Sequence, residues 1–160
     1  MDQQTQIVSV SNFCTKQELE TVLRYTHDKN WAIQTSNTGD STEFFKLDLT
    51  NIKFFNDTLF NKLKNTLKIE CSLDKVYFNL QYPNQHGSLH QDYCQYTAIL
   101  YVTPWNPELG GFTQIMSNKI LVIPPIQNSL ICFPSHLFHK GYACTHNKRI
   151  SLAYKLNLHQ

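Results

Sequence analysis

What this 160-residue chain lacks narrows its class before any motif is read. It has no block of like charge: 14 basic and 12 acidic residues leave a net charge of +2, which excludes the basic stripe of a dedicated nucleic-acid binder. The Lys64/Lys68 and Lys148/Arg149 pairs read as solvated faces, apart from the role for Arg149 argued below. It has no C-x-x-C spacing, and its five cysteines (Cys14, Cys71, Cys94, Cys132, Cys144) form an odd set. That excludes a zinc knuckle or a disulfide framework and points to reduced thiols in a cytoplasmic compartment. No apolar run is long enough to span a bilayer, and residues 1–10 have neither the basic nor the apolar region of a leader, so a soluble intracellular protein without a membrane partner is expected. There is no internal repeat or linker. A single domain over 1–160 is expected, large enough to bury a core without disulfides or structural metal.

What is present divides into two parts. Thr15-Lys16-Gln17-Glu18 has the form of a capping box, and Leu19, Val22, Leu23 and Thr26 follow at helical spacing, predicting a helix over 16–28. Residues 34–42 read as a polar loop, with a strand over 44–49. Leu59, Phe60, Leu63 and Leu67 share one side of a second helix over 56–68. From Val76 onward the runs VYFNLQY, QYTAILYV, GFTQI, KILVI, SLICF, HKGYA and RISLAYKL are short, rich in aromatic and β-branched residues, and punctuated by Pro, Gly and Asn. A mainly β fold of jelly-roll type is expected over about 74–160, preceded by a helical part over about 1–70.

Within the β region, GSLHQDY puts His90 and Asp92 two positions apart after a predicted strand, where side chains i and i+2 share a face. With seven histidines and seven aspartates, such a pair arises by chance with a probability of about 0.3, so it carries weight only in company. A facial triad of two histidines and one carboxylate holds a redox metal while leaving positions open for reactants. FPSHLFHKG supplies His136 and His139 as third-ligand candidates, and sequence physics does not choose between them. On RISLAYKL, Arg149, Ser151 and Ala153 share one face and Ile150, Leu152 and Tyr154 the other. An arginine flanked by small residues is what a buried dicarboxylate needs: a fixed fork with room beside it.

H-x-D at 90 and 92, YVTPWNPELGGFTQI at 101–115, FPSHLFHKG at 133–141 and KRISLAYKL at 148–156 together resemble the Fe(II)- and 2-oxoglutarate-dependent dioxygenases, nearest to the prolyl 4-hydroxylase-like branch with its small bacterial and phage members. The resemblance covers about 76–156. It implies a double-stranded β-helix (jelly roll, cupin-like) with helices on one outer face, and Fe(II), 2-oxoglutarate and dioxygen as cofactor and co-substrates, with ascorbate as an accessory reductant. It implies His90, Asp92 and His139 as the metal-binding and catalytic residues, because the family's distal histidine stands about ten positions before its 2-oxoglutarate arginine, as His139 does before Arg149. Arg149 would pair with the far carboxylate of 2-oxoglutarate, Tyr101 would help it, and Tyr82 would contact the cofactor or line the substrate mouth. Phe112 and Thr113 stand where many relatives carry an acidic residue after Gly-Gly, a departure that bears on loop geometry and substrate.

The resemblance also implies a prolyl residue of a peptide or protein as substrate, entering beneath the loops at 34–42 and 83–88. Two other readings compete. NLQYPNQHGSLHQD is similar to the segment before H-x-D in alkylation-repair dioxygenases, and Lys155 stands six positions after Arg149 where those enzymes carry a second arginine; the low basic charge weighs against a nucleic-acid partner. A non-catalytic, cupin-like metal-binding module would tolerate the same ligands, but has no need of Arg149 and Tyr101. The bland readings are a polar surface turn for His90 and Asp92, a core hydroxyl for either tyrosine, and loop packing for Trp105 and Phe112. His27, His86, His146 and His159 receive no role.

Overall fold

Alternation of residue type along each strand decides which of two interiors a side chain enters. The computed structural model describes residues 6–35 and 43–159. Its elements are β1 (Val8–Val10), α1 (Lys16–Tyr25), β2 (Ala32–Thr35), β3 (Glu43–Asp48), a π-helical turn (Phe54–Leu59) running into α2 (Phe60–Leu67), then β4 (Cys71–Gln81), β5 (Tyr96–Tyr101), β6 (Thr113–Met116), β7 (Ile120–Ile123), β8 (Leu130–Pro134), β9 (Phe138–Gly141) and β10 (Arg149–Leu158). One antiparallel sheet has the order β1-β8-β5-β10-β4-β3-β2, and a smaller one has β7-β6-β9. A further bridge joins His90 to His139 at the edge of the small sheet. Two facing antiparallel sheets of this kind make a jelly roll.

The helices lie on the outer face of the large sheet. Val22, Phe55, Leu59 and Leu63 are fully buried there in one cluster with Val76 and Phe78 of β4 and Leu152, Tyr154 and Leu156 of β10. Between the sheets a smaller apolar cluster gathers Tyr101, Ile115, Ile131 and Phe133. It fills one end of the sandwich and leaves the other open.

Several boundaries differ from those expected. The capping box at Thr15 forms, with Glu18 accepting from the Thr15 backbone N–H at 2.7 Å. α1 nevertheless stops at Tyr25, because Thr26 folds its hydroxyl onto the Leu23 carbonyl at 2.7 Å. The second helix begins two residues early, since Asn56 donates its side chain to the Thr50 carbonyl (2.7 Å) instead of capping the helix. The strand expected over 44–49 is β3, and the part expected to be mainly helical also contributes the short strands β1 and β2 to the large sheet. Of the predicted loop, Gln34 and Thr35 belong to β2, paired with Phe44 and Glu43, and residues 36–42 lie outside the described residues. Strands as short as β1 and β2 carry too few residues for a periodic signal, so their partners define them.

Candidate metal and cofactor site

The open end of the sandwich is a cavity of about 560 Å³, walled by the inward faces of β3, β4, β5 and β10 on one side and by β9 and the 87–93 segment on the other. His90, Asp92 and His139 meet in it, each with a ligand atom within 4.8 Å of the others. Backbone pairing brings them together. The N–H of His90 donates to the His139 carbonyl (3.0 Å), His139 returns the bond (2.8 Å), and the Asp92 N–H donates to the Ser135 carbonyl (3.0 Å).

Side-chain bonds then set the chemistry. His90 Nδ1 lies 2.9 Å from the Ser88 carbonyl and His139 Nδ1 2.9 Å from the Leu137 carbonyl. A carbonyl can only accept, so each ring carries a hydrogen on Nδ1 and turns its Nε2 toward the cavity, the orientation found at metal-bound histidines. Those Nε2 atoms stand 3.7 Å from Asp92 Oδ1 and 3.3 Å from Asp92 Oδ2. Asp92 Oδ2 also accepts from Thr97 Oγ1 (2.6 Å) and from the Lys155 ammonium. Burial alone would raise the Asp92 carboxyl, but the His139 hydrogen bond and the Lys155 charge outweigh it and hold it well below the usual carboxylate range. Burial, followed by the neighbouring His139, pushes the His90 imidazole below its ordinary value. Two imidazoles turned inward through Nε2 and an ionised carboxylate make a donor set matched to a divalent metal.

Arg149 stands in the same cavity, 3% exposed. Its Nε donates to the Gly111 carbonyl, Nη1 to Gln81 Oε1 and Nη2 to Thr113 Oγ1, each at 2.9 Å. Each of these acceptors is held in turn. Gln81 is oriented by donating Nε2 to the carbonyls of Gln85 (2.8 Å) and Gly141 (3.1 Å). A guanidinium has five N–H donors, so one on each terminal nitrogen is left over, and no carboxylate pairs with it among the described residues. A Cβ on Gly141 would sit 3.4 Å from Nη1, so that glycine leaves space beside the fork. A buried fork with space and no anion fits a carboxylate ligand.

The expected residues fare unequally. His139, on the inward register of β9, completes the cluster, whereas His136 lies exposed at the cavity rim with its carbonyl accepting from Gln91. Tyr101 is buried, donates to Thr113 Oγ1 at 2.7 Å and has the Arg149 guanidinium over its ring at 5.5 Å; it touches the fork and reaches the cavity only through Thr113. Tyr82 is not brought in. It is 47% exposed and packs edge-on against Phe45, because Tyr77, Asn79 and Gln81 hold the inward positions of β4 and the next residue must face the other way. Trp105 packs in its loop, donating to the Gly110 carbonyl and meeting Phe112 edge-on. Sequence reasoning missed Gln81, Thr113, Thr97 and Asn79. It noted Lys155 but not its contact with Asp92. The polar/apolar alternation of VYFNLQ was a usable signal for Gln81 and Asn79; Thr97 and Thr113 have none within their own segments.

The two sheets and the helices on one outer face make this chain a double-stranded β-helix. Its likeness to solved structures extends over nearly all of it. An oxidoreductase of the 2OG-Fe(II) oxygenase family from Burkholderia pseudomallei matches 98% of this chain and 86% of its own, at a TM-score of 0.79 and 12% identity. A Pseudomonas putida prolyl-4-hydroxylase matches 98% and 94%, at 0.73 and 14%. A Trichoplax adhaerens prolyl hydroxylase, solved with a hypoxia inducible factor peptide fragment, matches 94% and 83%, at 0.73 and 17%. Identities this low establish a common fold. No family model matches the chain, and no curated protein matches its sequence.

Proposed function

We propose that this protein is an Fe(II)- and 2-oxoglutarate-dependent dioxygenase that hydroxylates an unactivated C–H bond, with a prolyl residue of a peptide or protein as its substrate. The observation that carries this reading is the pairing, in one cavity, of the His90/Asp92/His139 cluster with the buried Arg149, which has no carboxylate partner among the described residues. When bound, Fe(II), 2-oxoglutarate and dioxygen supply the chemistry: 2-oxoglutarate is oxidatively decarboxylated to succinate and carbon dioxide as the substrate gains a hydroxyl.

The protein supplies place and polarity. His90 and His139 through Nε2, and Asp92 through a carboxylate oxygen, would hold the metal, a ligand set that leaves positions for reactants. Thr97 and Lys155 both donate to Asp92 Oδ2, and the Lys155 charge helps to keep the carboxylate ionised. Arg149 would hold the far carboxylate of 2-oxoglutarate, and Tyr101 would be a positioning residue that acts through Thr113. Gln81 takes the place in the cavity foreseen for Tyr82. Phe44, Tyr77, Tyr93 and Phe138 line the cavity, giving a prolyl ring apolar faces to pack on. The peptide held by the Trichoplax adhaerens prolyl hydroxylase supports a substrate of the same class. Five free thiols, four of them buried, support an intracellular, reducing setting.

The competing readings are less well supported. A nucleic-acid dealkylase would want the second cation of β10 free, and Lys155 is tied to Asp92. A non-catalytic metal module leaves Arg149 unexplained. The test is mass spectrometry of proline-containing peptides incubated with the protein, Fe(II) and 2-oxoglutarate in air, with and without ascorbate. A peptide that gains one oxygen on proline with the wild type, and none with His139→Ala, is the expected result. Demethylation of a methylated oligonucleotide with no oxygen gain on any peptide, or no change in any substrate class with 2-oxoglutarate left intact, would overturn the proposal.

A further inference from the structure

The charges lining the cavity do not balance, and the imbalance says something about the substrate. Among the described residues, Lys46, Arg149 and Lys155 face it, against the single carboxylate of Asp92. Two of the cations are accounted for: Lys155 pairs with Asp92, and Arg149 forms the fork assigned above to 2-oxoglutarate. Lys46 is left over. It sits on β3 with its ammonium over the Tyr77 ring, 3.8 Å from the centroid, while the Lys155 ammonium stands 5.9 Å from the same centroid. It has no ion pair among the described residues. Burial, and then the neighbouring Lys75 and Lys155 charges, press its pKa down against the weaker help of Asp48. A half-buried cation among like charges is costly unless an anion arrives from outside.

A second atom beside it also lacks a partner. Asn79 faces Lys46 directly across the β3–β4 ladder, and its Oδ1 is buried without a hydrogen bond. A buried acceptor left unpaired in a cavity wall awaits a donor. Lys46 and Asn79 together thus present a site for an anion next to a site for an N–H, on the wall of the cavity that holds the His90/Asp92/His139 cluster.

We propose that the primary substrate carries a carboxylate, bound by Lys46, and an adjacent N–H, bound by Asn79 Oδ1. This rests on the oxygenase reading above and narrows it to acidic substrates. The carboxylate comes either from an acidic side chain flanking the reacting proline of a peptide, whose backbone supplies the N–H, or from a free amino acid. Fluorescent peptides of one length, built round a single proline flanked by Glu, Gln or Lys, separate the cases by anisotropy on protein loaded with Fe(II) and 2-oxoglutarate in the absence of oxygen. The Glu peptide is expected to bind about tenfold tighter than the Gln peptide, a preference that weakens as salt rises. Lys46→Gln should abolish the preference, Lys46→Arg keep it, and Lys46→Glu turn it toward the Lys peptide; in turnover, Lys46→Gln should raise KM with kcat little changed. Displacement of the Glu peptide by free L-proline, but not by L-prolinamide, would assign the carboxylate to a free amino acid, and failure of both to displace it assigns it to the peptide side chain. Equal binding of the three peptides, a Glu preference that survives in Lys46→Gln, or displacement by a single-stranded oligonucleotide more readily than by acidic peptide would overturn the inference. Wild-type protein that turns over 2-oxoglutarate yet binds the three peptides alike defeats this inference alone; absence of any turnover defeats the oxygenase reading instead.

Discussion

The two faces of β10 are built from alternate residues of one ten-residue strand and do opposite things. Ile150, Leu152, Tyr154 and Leu156 point outward into the helix-covered cluster, each 2% exposed or less. Arg149, Ser151, Ala153 and Lys155 point inward to the cavity. The outer face gains stability from burial of apolar surface. The inner face gives some of it up: it buries a guanidinium with no anion and an ammonium tied to one carboxylate, and keeps its other positions small. Sites of this kind are held in place by the well-packed region behind them.

That contrast breaks most visibly at its outer side. Leu152→Ala should lower unfolding free energy by about 2–5 kcal/mol, read by denaturant titration, while the fraction still folded binds 2-oxoglutarate as before. Arg149→Met should do the reverse, weakening 2-oxoglutarate binding by about 2–5 kcal/mol in calorimetry with Mn(II) present, with a smaller shift in Tm than Leu152→Ala gives. If Arg149→Met unfolds the protein, the inner face is structural and the contrast fails. Gly111→Ala tests the join between the two functions. Gly111 has φ +74, and a Cβ there would lie 2.6 Å from Cys144 Sγ. A cost of about 1–3 kcal/mol is expected, together with weaker 2-oxoglutarate binding, because the Gly111 carbonyl accepts from Arg149 Nε.

The smallest effect is confined to acid. His139 and Lys155 hold the Asp92 carboxyl below its ordinary value against the effect of burial. Its contribution to stability is therefore complete above an unfolded-state pKa of about 4 and is lost as pH falls through the lower folded-state value. In metal-free protein the Tm advantage of the wild type over Asp92→Asn should shrink between about pH 4 and pH 2. An advantage that stays constant over that range would contradict the assignment of the Asp92 charge.

Much of the inner and outer patterning was legible in the sequence, because a strand with two different environments must alternate. The division of β10 into Arg149/Ser151/Ala153 and Ile150/Leu152/Tyr154 follows from that rule alone. His139 was distinguished from His136 by its family spacing to Arg149; physically, the difference is that His139 occupies a paired position of β9 opposite Ile115, while His136 lies in the turn before it. Tyr82 lies outside the residues that line the cavity, and Gln81, one position before it, faces in. The strand's parity already favoured Gln81, and the tyrosine's chemistry drew attention away from it. The roles of Lys46, Asn79 and Thr113 could not be read from their own segments, since what each meets depends on cross-strand pairing between segments that are distant in the chain. Local sequence shows which way a side chain points, and register shows what it meets.

The most direct test of the account is succinate formation from 2-oxoglutarate by purified protein with Fe(II) under air, alongside Asp92→Ala and Arg149→Ala variants that retain the wild-type circular dichroism spectrum. Succinate from the wild type and from neither variant is the predicted result. Succinate undiminished in the Arg149→Ala variant, or none from the wild type even with proline peptides present, would contradict the claim that the inner face of β10 and the histidine–aspartate cluster form one oxygenase site.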